Sequence, residues 1–175
     1  MADELNRPTN PVAVEEVARE ITAHLSEVDG ITISGGEPFD QAEALCHLLG
    51  LLKQYRDPEV LIYTGYLLEE LHSFKGPRRK LLGMTDILID GPFIQDQPNT
   101  LQWRGSDNQR VRLLSARSLA YAEIVDNRMP EVRSLQFQVL GNDTIRLIGI
   151  PRRGDIDLYH DLLESRGLKR RVLNE

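Results

Sequence analysis

An α/β fold with a parallel sheet covered by helices is predicted from three features of the sequence. Short, mostly apolar runs, Ile31-Thr32-Ile33, Val60-Leu61-Ile62-Tyr63 and Ile87-Leu88-Ile89, alternate with segments whose apolar residues recur at helical spacing. The runs are nearly continuous rather than alternating, which is the pattern of strands covered on both faces, as strands of parallel sheets are. Each run is followed by a loop of marked composition: Ser34-Gly35-Gly36-Glu37-Pro38, Thr64-Gly65 and Asp90-Gly91-Pro92-Phe93.

Taken in order, the first ten residues are polar and lie among Pro8 and Pro11, an irregular lead-in. Val12 to Ser26 carries Val14, Val17, Ile21 and Leu25 on one helical stripe, with Glu15, Glu16, Arg19 and Glu20 turned outward. Asp29-Gly30 ends that unit and Ile31–Ile33 reads as a buried strand. Asp40 is placed to cap a second helix whose buried side holds Ala42, Leu45, Leu48, Leu49 and Leu52. After the second strand, Leu67 to Phe74 reads as a short helix that Gly76-Pro77 terminates, and Arg78 to Leu82 as a further turn. The tail changes character: Leu135–Leu140 and Thr144–Ile150 flank Gly141-Asn142-Asp143 as a β-hairpin, and Asp155–Arg166 forms a last helix. The expected division is a domain over 1–115 and a C-terminal extension over 116–175, packed on it.

Composition removes several functional classes. The 175 residues hold 21 Lys and Arg against 27 Asp and Glu, a formal charge of -6, which argues against a non-specific nucleic-acid binder. No apolar run approaches the ~20 residues of a membrane span. The basic end Lys169-Arg170-Arg171 reads as a solvated face. Cysteine occurs once, at Cys46, so no internal disulfide forms, and a reducing cytoplasmic setting is the expectation. Cys46 lies beside a buried helical stripe and reads as a core or boundary residue. His24, His72 and His160 lack metal-ligand spacing and read as surface residues. No phosphate-binding Lys-Ser/Thr glycine loop, HExxH pair or serine elbow is present.

Ligands of parallel sheets bind outside the carboxyl ends of the strands, where all three marked loops lie. Gly35-Gly36 lets backbone approach a ligand with no Cβ in the way. Glu37 is an acceptor suited to an ammonium group, and Pro38 fixes the following turn. A tight strand-to-helix turn with a solvated Glu37 is the alternative. In a second cluster, Arg104, Ser106, Asn108, Gln109 and Arg110 are gathered within eight residues. Either it recognises a carboxylate or phosphate through its arginines, or it is a structural network of salt bridges and caps.

Four blocks together carry a family resemblance. Gly30-Ile31-Thr32-Ile33-Ser34-Gly35-Gly36-Glu37-Pro38-Phe39 resembles the GGEP segment of radical S-adenosylmethionine (SAM) enzymes. Leu61-Ile62-Tyr63-Thr64-Gly65-Tyr66, Asp86-Ile87-Leu88-Ile89-Asp90-Gly91-Pro92-Phe93 and Arg104-Gly105-Ser106-Asp107-Asn108-Gln109-Arg110 resemble the activating enzymes of glycyl-radical proteins, in the anaerobic ribonucleotide reductase activase branch. The resemblance implies a partial (β/α) barrel that holds a [4Fe-4S] cluster and S-adenosyl-L-methionine. It also implies reductive cleavage of SAM to a 5′-deoxyadenosyl radical that takes hydrogen from a partner glycine or substrate. Carried over by position, Ser34, Gly35, Gly36, Glu37 and Pro38 would meet the methionyl end of SAM. Thr64, Gly65 and Asp90 would line it, and the Arg104–Arg110 block would close the site. A flavodoxin- or ferredoxin-type reductant and a glycyl-radical enzyme are the implied partners.

The chain departs from the family at one point. Family members hold the cluster with a CxxxCxxC motif upstream of GGEP, and here neither that motif nor the first barrel strand is present. Met1-Ala2-Asp3-Glu4-Leu5 followed by Val12-Ala13-Val14-Glu15-Glu16 fits the stretch that follows the third cysteine in the family, so the expectation is a chain starting at an internal methionine and inactive as written. The alternative is a degenerate, cluster-free SAM-binding or interaction module.

Overall fold

Along the second apolar run, Val60 and Ile62 are fully buried while Leu61 and Tyr63 are half-buried, which places this strand inside a sheet rather than on its rim. The computed structural model describes residues 11–128, 136–140, 144–148 and 155–165. Over the first stretch the elements run α1 (Val14–His24), β1 (Gly30–Ile33), α2 (Ala42–Leu52), β2 (Glu59–Tyr63), α3 (Leu68–Ser73), α4 (Pro77–Leu82), β3 (Ile87–Asp90) and β4 (Arg110–Leu113). The strands form one sheet in the order β1-β2-β3-β4. β1 pairs with β2, and β2 with β3, in parallel; β4 runs antiparallel to β3, with Asp90 opposite Arg110 and Ile87 opposite Leu113.

The helical stripe forms as its spacing requires. Glu15 and Glu16 sit in the first turn of α1, where the helix dipole favours negative charge. Ala18 and Leu25 bury against Leu52 of α2, with Ile21, Leu48 and Leu51 packed around them. A larger cluster, including Phe39, Leu49, Val60, Ile62, Leu71, Leu81 and Leu88, joins α2, α3 and α4 to the sheet. Burying a Leu or Ile side chain contributes roughly 1.5–3 kcal/mol before chain entropy is set against it, so these clusters hold the sheet and its helices together.

Four expectations are corrected. The sheet is mixed rather than wholly parallel, because Arg110-Val111-Arg112-Leu113 forms a strand. Its alternation of charged and apolar residues reads in sequence as the end of a polar loop. β1 is half-buried with Thr32 exposed, since it stands at the end of the strand order. Asp40 does not cap α2: it lies in a 3-10 turn, Pro38–Gln41, and accepts hydrogen bonds from Tyr66 Oη and Arg78 Nη2. Pro77 opens α4 rather than only closing the helix before it, the first-turn position where its missing N–H costs nothing. A further 3-10 turn, Arg117–Tyr121, was not expected.

Two compact units divide the chain, Met1–Arg128 and Met129–Glu175. In the second, β5 (Gln136–Leu140) and β6 (Thr144–Ile148) pair antiparallel as the expected hairpin, and α5 (Asp155–Ser165) is the expected last helix. The Gly141-Asn142-Asp143 turn, residues 1–10 and Lys169–Arg171 lie outside the described residues.

Beyond the amino end of β3, Asp86 is buried and gathers three segments. Its carboxylate accepts from Val60 N at 2.9 Å and from Arg117 Nε and Nη2 at 2.8 and 2.6 Å. Burial pushes its carboxyl up, but the hydrogen bonds from Arg117, Ser115 and Val60 outweigh that and hold it below its ordinary range. A carboxylate lowered on folding contributes stability that is present above its unfolded pKa and lost as pH falls through its folded one. Asp86→Asn is therefore expected to destabilise the chain by about 1.5–3 kcal/mol at neutral pH. Urea titrations should also show a weaker loss of stability in the variant than in the parent chain below about pH 4. Equal acid slopes in the two would refute the assignment.

Candidate functional site

The carboxyl ends of β1, β2 and β3 open on a cleft of about 400 Å³. Its first wall is Ser34-Gly35-Gly36-Glu37, its second Tyr63-Thr64-Gly65, and its third Gly91-Pro92-Phe93, with Gly105 and Gln109 completing it. The first wall has its shape because Gly35 and Gly36 both hold left-handed backbone, φ 88° and 55°. A side chain at either would be strained, although a Cβ on Gly35 would meet nothing within 4 Å. The glycine there is needed for conformation rather than for space.

Glu37 ties the first wall to the second. Its Oε1 accepts from Phe39 N at 3.0 Å, which caps the 3-10 turn, and from Thr64 Oγ1 at 2.8 Å; Oε2 accepts from Gly65 N at 2.8 Å. A carboxylate offers about four acceptor positions, so one remains on Oε2. All three donors are neutral, and among the described residues no cation is paired with Glu37. Both readings of this residue thus meet in one side chain: it is a structural clamp, and it brings an uncompensated negative charge to the cleft.

The third wall is held from the sheet. Asp90 is fully buried and does not line the cleft. It accepts from Arg110 Nε and Nη2 at 3.1 and 2.8 Å and from Leu68 N at 2.9 Å. The bonds to Asp90 and then to Glu69 raise the Arg110 guanidinium above its ordinary value. Gln109 Nε2 donates to Gly91 O, Asn108 Nδ2 donates to Pro92 O, and Ser106 Oγ accepts from Ile94 N. Arg104 pairs with Asp126. The Arg104–Arg110 block therefore works as a structural network around the third wall, and of its candidate residues Gln109 alone reaches the cleft lining. Pro38 is buried beneath the first wall as the opening residue of its turn.

Tyr63, Gly91, Pro92, Phe93 and Gly105 line the cleft without having been singled out as site residues. Their signal was positional: Tyr63 ends a strand, and Gly91 to Phe93 immediately follow one. Tyr63 Oη donates to Trp103 O at 2.7 Å. That contact and an edge-on packing of Trp103 against Tyr121 at 5.5 Å hold Trp103 in left-handed backbone, φ 67°. For a bulky residue such a conformation costs of order 1–3 kcal/mol, so the surroundings impose it.

A [4Fe-4S] cluster is a thiolate-bound group, and the residues of this chain do not fit it. Cys46 is the single cysteine; it is buried on α2, and its Sγ donates to Pro77 O at 3.5 Å. Burial pushes its thiol up, only partly offset by Lys80, which disfavours the thiolate a cluster needs. Among the described residues no group of three or more His, Cys, Asp and Glu is placed to hold a metal ion, and no helix is long and apolar enough to cross a membrane.

Thr64 is the joint between the first two walls, buried and bonded on both sides, since its Oγ1 also accepts from Tyr66 N at 3.1 Å. Thr64→Val keeps the shape but leaves Tyr66 N without that acceptor and Glu37 with one donor fewer. The expected cost is about 1–3 kcal/mol by chemical denaturation. Faster amide exchange at Gly65 and Tyr66 should accompany it, and unchanged exchange there would refute the joint.

Residues 4–112 match the family model described as a 4Fe-4S single cluster domain. An anaerobic ribonucleoside-triphosphate reductase-activating protein of Enterobacteria phage T4 is 31% identical over 98 residues, 53% of this chain and 60% of the relative. Proteins of the same name from Haemophilus influenzae and Vibrio cholerae are 40% and 38% identical over 86 and 87 residues, in each case 47% of this chain and 54% of the relative. The chain spans about half the length of the curated relatives it matches. No solved structure matches it. These relatives bear out the resemblance carried by the four sequence blocks, and the chain belongs to the 4Fe-4S single cluster domain family.

Proposed function

We propose that this chain is the SAM-binding core of a radical SAM activating protein, built as a partial (β/α) barrel and acting on an anaerobic ribonucleoside-triphosphate reductase. The observation that carries the binding reading is Glu37: a half-buried carboxylate on the cleft wall, satisfied by three neutral donors, with one acceptor position left and no cationic partner among the described residues. A ligand ammonium supplies the missing charge, and an ammonium beside a carboxylate makes a stronger hydrogen bond than two neutral groups do. The methionyl amino group of SAM is such an ammonium. Tyr63 and Phe93 give the cleft aromatic surface suited to the apolar part of the same ligand. When bound, SAM supplies the radical chemistry that the family resemblance implies. The chain's own residues bind and orient it: Glu37 takes the amino group, Thr64 and Gly65 hold Glu37 in place, and Gly35-Gly36 keep the approach open.

No step through a cluster follows from these residues. Electron delivery, from a flavodoxin- or ferredoxin-type donor, depends on thiolates that the 175 residues do not contain. The single, buried Cys46 favours a second reading, in which the chain alone is a cluster-free binder of SAM or S-adenosylhomocysteine. Anaerobic reconstitution tests the premise that both readings share. We expect no cluster absorption band and no stoichiometric iron and sulfide on the chain by itself, and a full complement of iron would overturn this.

Glu37→Gln tests the ammonium contact. Because Glu37 also caps a turn and clamps Gly65, the variant is expected to melt lower, so affinity alone is a poor readout. The ratio of affinities for S-adenosylhomocysteine and 5′-methylthioadenosine, which lacks the amino-acid group, is independent of that loss. Calorimetry should show the preference for S-adenosylhomocysteine shrinking by about 1–2 kcal/mol in the variant. An unchanged ratio would remove Glu37 from the ligand site.

A further inference from the structure

We propose that Gln109 is the positioning residue of the cleft: its side-chain amide sets the spacing between Gly91–Phe93 and Gly105, and through a hydrogen-bonded relay holds both against Glu37. The inference rests on the ligand-binding reading of the cleft given above. Gln109 is only 5% exposed although it lines the opening. Its Oε1 accepts from Gly105 N at 2.8 Å and Ser106 N at 3.2 Å, and its Nε2 donates to Gly91 O at 3.0 Å. Two N–H groups on one side and a carbonyl on the other fix the amide's orientation, since the reversed amide would set donor against donor and acceptor against acceptor.

The two surfaces it spans are already in contact at the rim. A Cβ on Gly105 would lie 3.0 Å from Phe93 Cδ2 and 3.3 Å from Gln109 Oε1, so any drift of one surface moves the other. From Gly91 the relay continues inward. Gly91 N donates to Tyr66 O at 3.1 Å, Tyr66 N to Thr64 Oγ1 at 3.1 Å, and Thr64 Oγ1 to Glu37 Oε1 at 2.8 Å. One side chain thus anchors a chain of bonds that crosses the ends of all three parallel strands. The sheet itself does not need it, because β4 pairs with β3 through backbone from Arg110 onward.

Two variants of the full chain test the proposal, read by residue-resolved amide exchange and by S-adenosylhomocysteine calorimetry. Gln109→Leu removes both sets of bonds. Exchange at Gly105 and Ser106 should rise about tenfold, the factor that one hydrogen bond's worth of free energy represents, while amides of β1, β2 and β3 keep their rates. Gln109→Glu keeps the acceptor for Gly105 and Ser106 but turns an oxygen toward Gly91 O. Protection at Gly105 and Ser106 should persist while affinity falls about tenfold. Unchanged exchange in the Leu variant, a uniform rise across the sheet, or unchanged affinity in the Glu variant each overturns the positioning role. If the parent chain binds no S-adenosylhomocysteine, the proposed function fails, and the exchange measurements still decide whether Gln109 holds the two surfaces together.

Discussion

The strand β3 is buried along its whole length and carries a buried carboxylate at its carboxyl end, Asp90, with another, Asp86, just before its amino end. A carboxylate removed from water needs a cation and hydrogen bonds, or it destabilises the state that buries it. Both partners come from the segment that follows: Arg110 reaches Asp90 and Arg117 reaches Asp86. The two pairs lie at opposite ends of β3, and the chain meets Arg110 first. β4 must therefore run antiparallel beside β3, with Arg110 opposite Asp90. Ion pairs of this kind add modestly to net stability. Their effect here is on specificity, because a shifted β4 would leave a buried carboxylate alone.

The placement of the cleft follows from the same constraint. With Arg110 fixed on Asp90, the residue before it, Gln109, is delivered to the end of the strand, within reach of Gly91 O. The loop from Arg104 to Asn108 is drawn over the third wall with it. The sites implied by family resemblance and by chemistry then separate. Asp90, a candidate ligand contact, is fully used in holding the sheet, whereas Gln109, in a block expected only to close the site, faces the opening. Glu37 joins the two roles. The hydrogen bonds that keep it rigid come from neutral groups, so they fix its position without cancelling its charge.

Most of the element order was legible in the residues because burial on both faces leaves a short, unbroken apolar run, and three such runs stand out. The helix from Val14 was legible from its spacing, and the Gly35-Gly36 turn from a pair of residues that tolerate left-handed backbone. β4 was not, since its apolar residues alternate with arginines whose partners, Glu69 and Asp90, are far away in sequence. The cap on α2 is absent for a related reason: Asp40 has the right chemistry, but Tyr66 and Arg78 occupy it, and the side-chain cap that forms is that of Glu37 on the 3-10 turn before the helix.

By itself the sequence determined the α/β class, the loops at the strand ends, the presence of a single cysteine, and the family. Each is a property of local pattern or composition. Only the tertiary structure decided the direction of β4, which polar residues face the cleft, and that among the described residues no cation pairs with Glu37 there. Those outcomes depend on which side chains meet across 20 or more residues of chain, as Glu37 meets Thr64 and Arg110 meets Asp90. Pairings at that range are set by the packing of the sheet, and no local pattern encodes them.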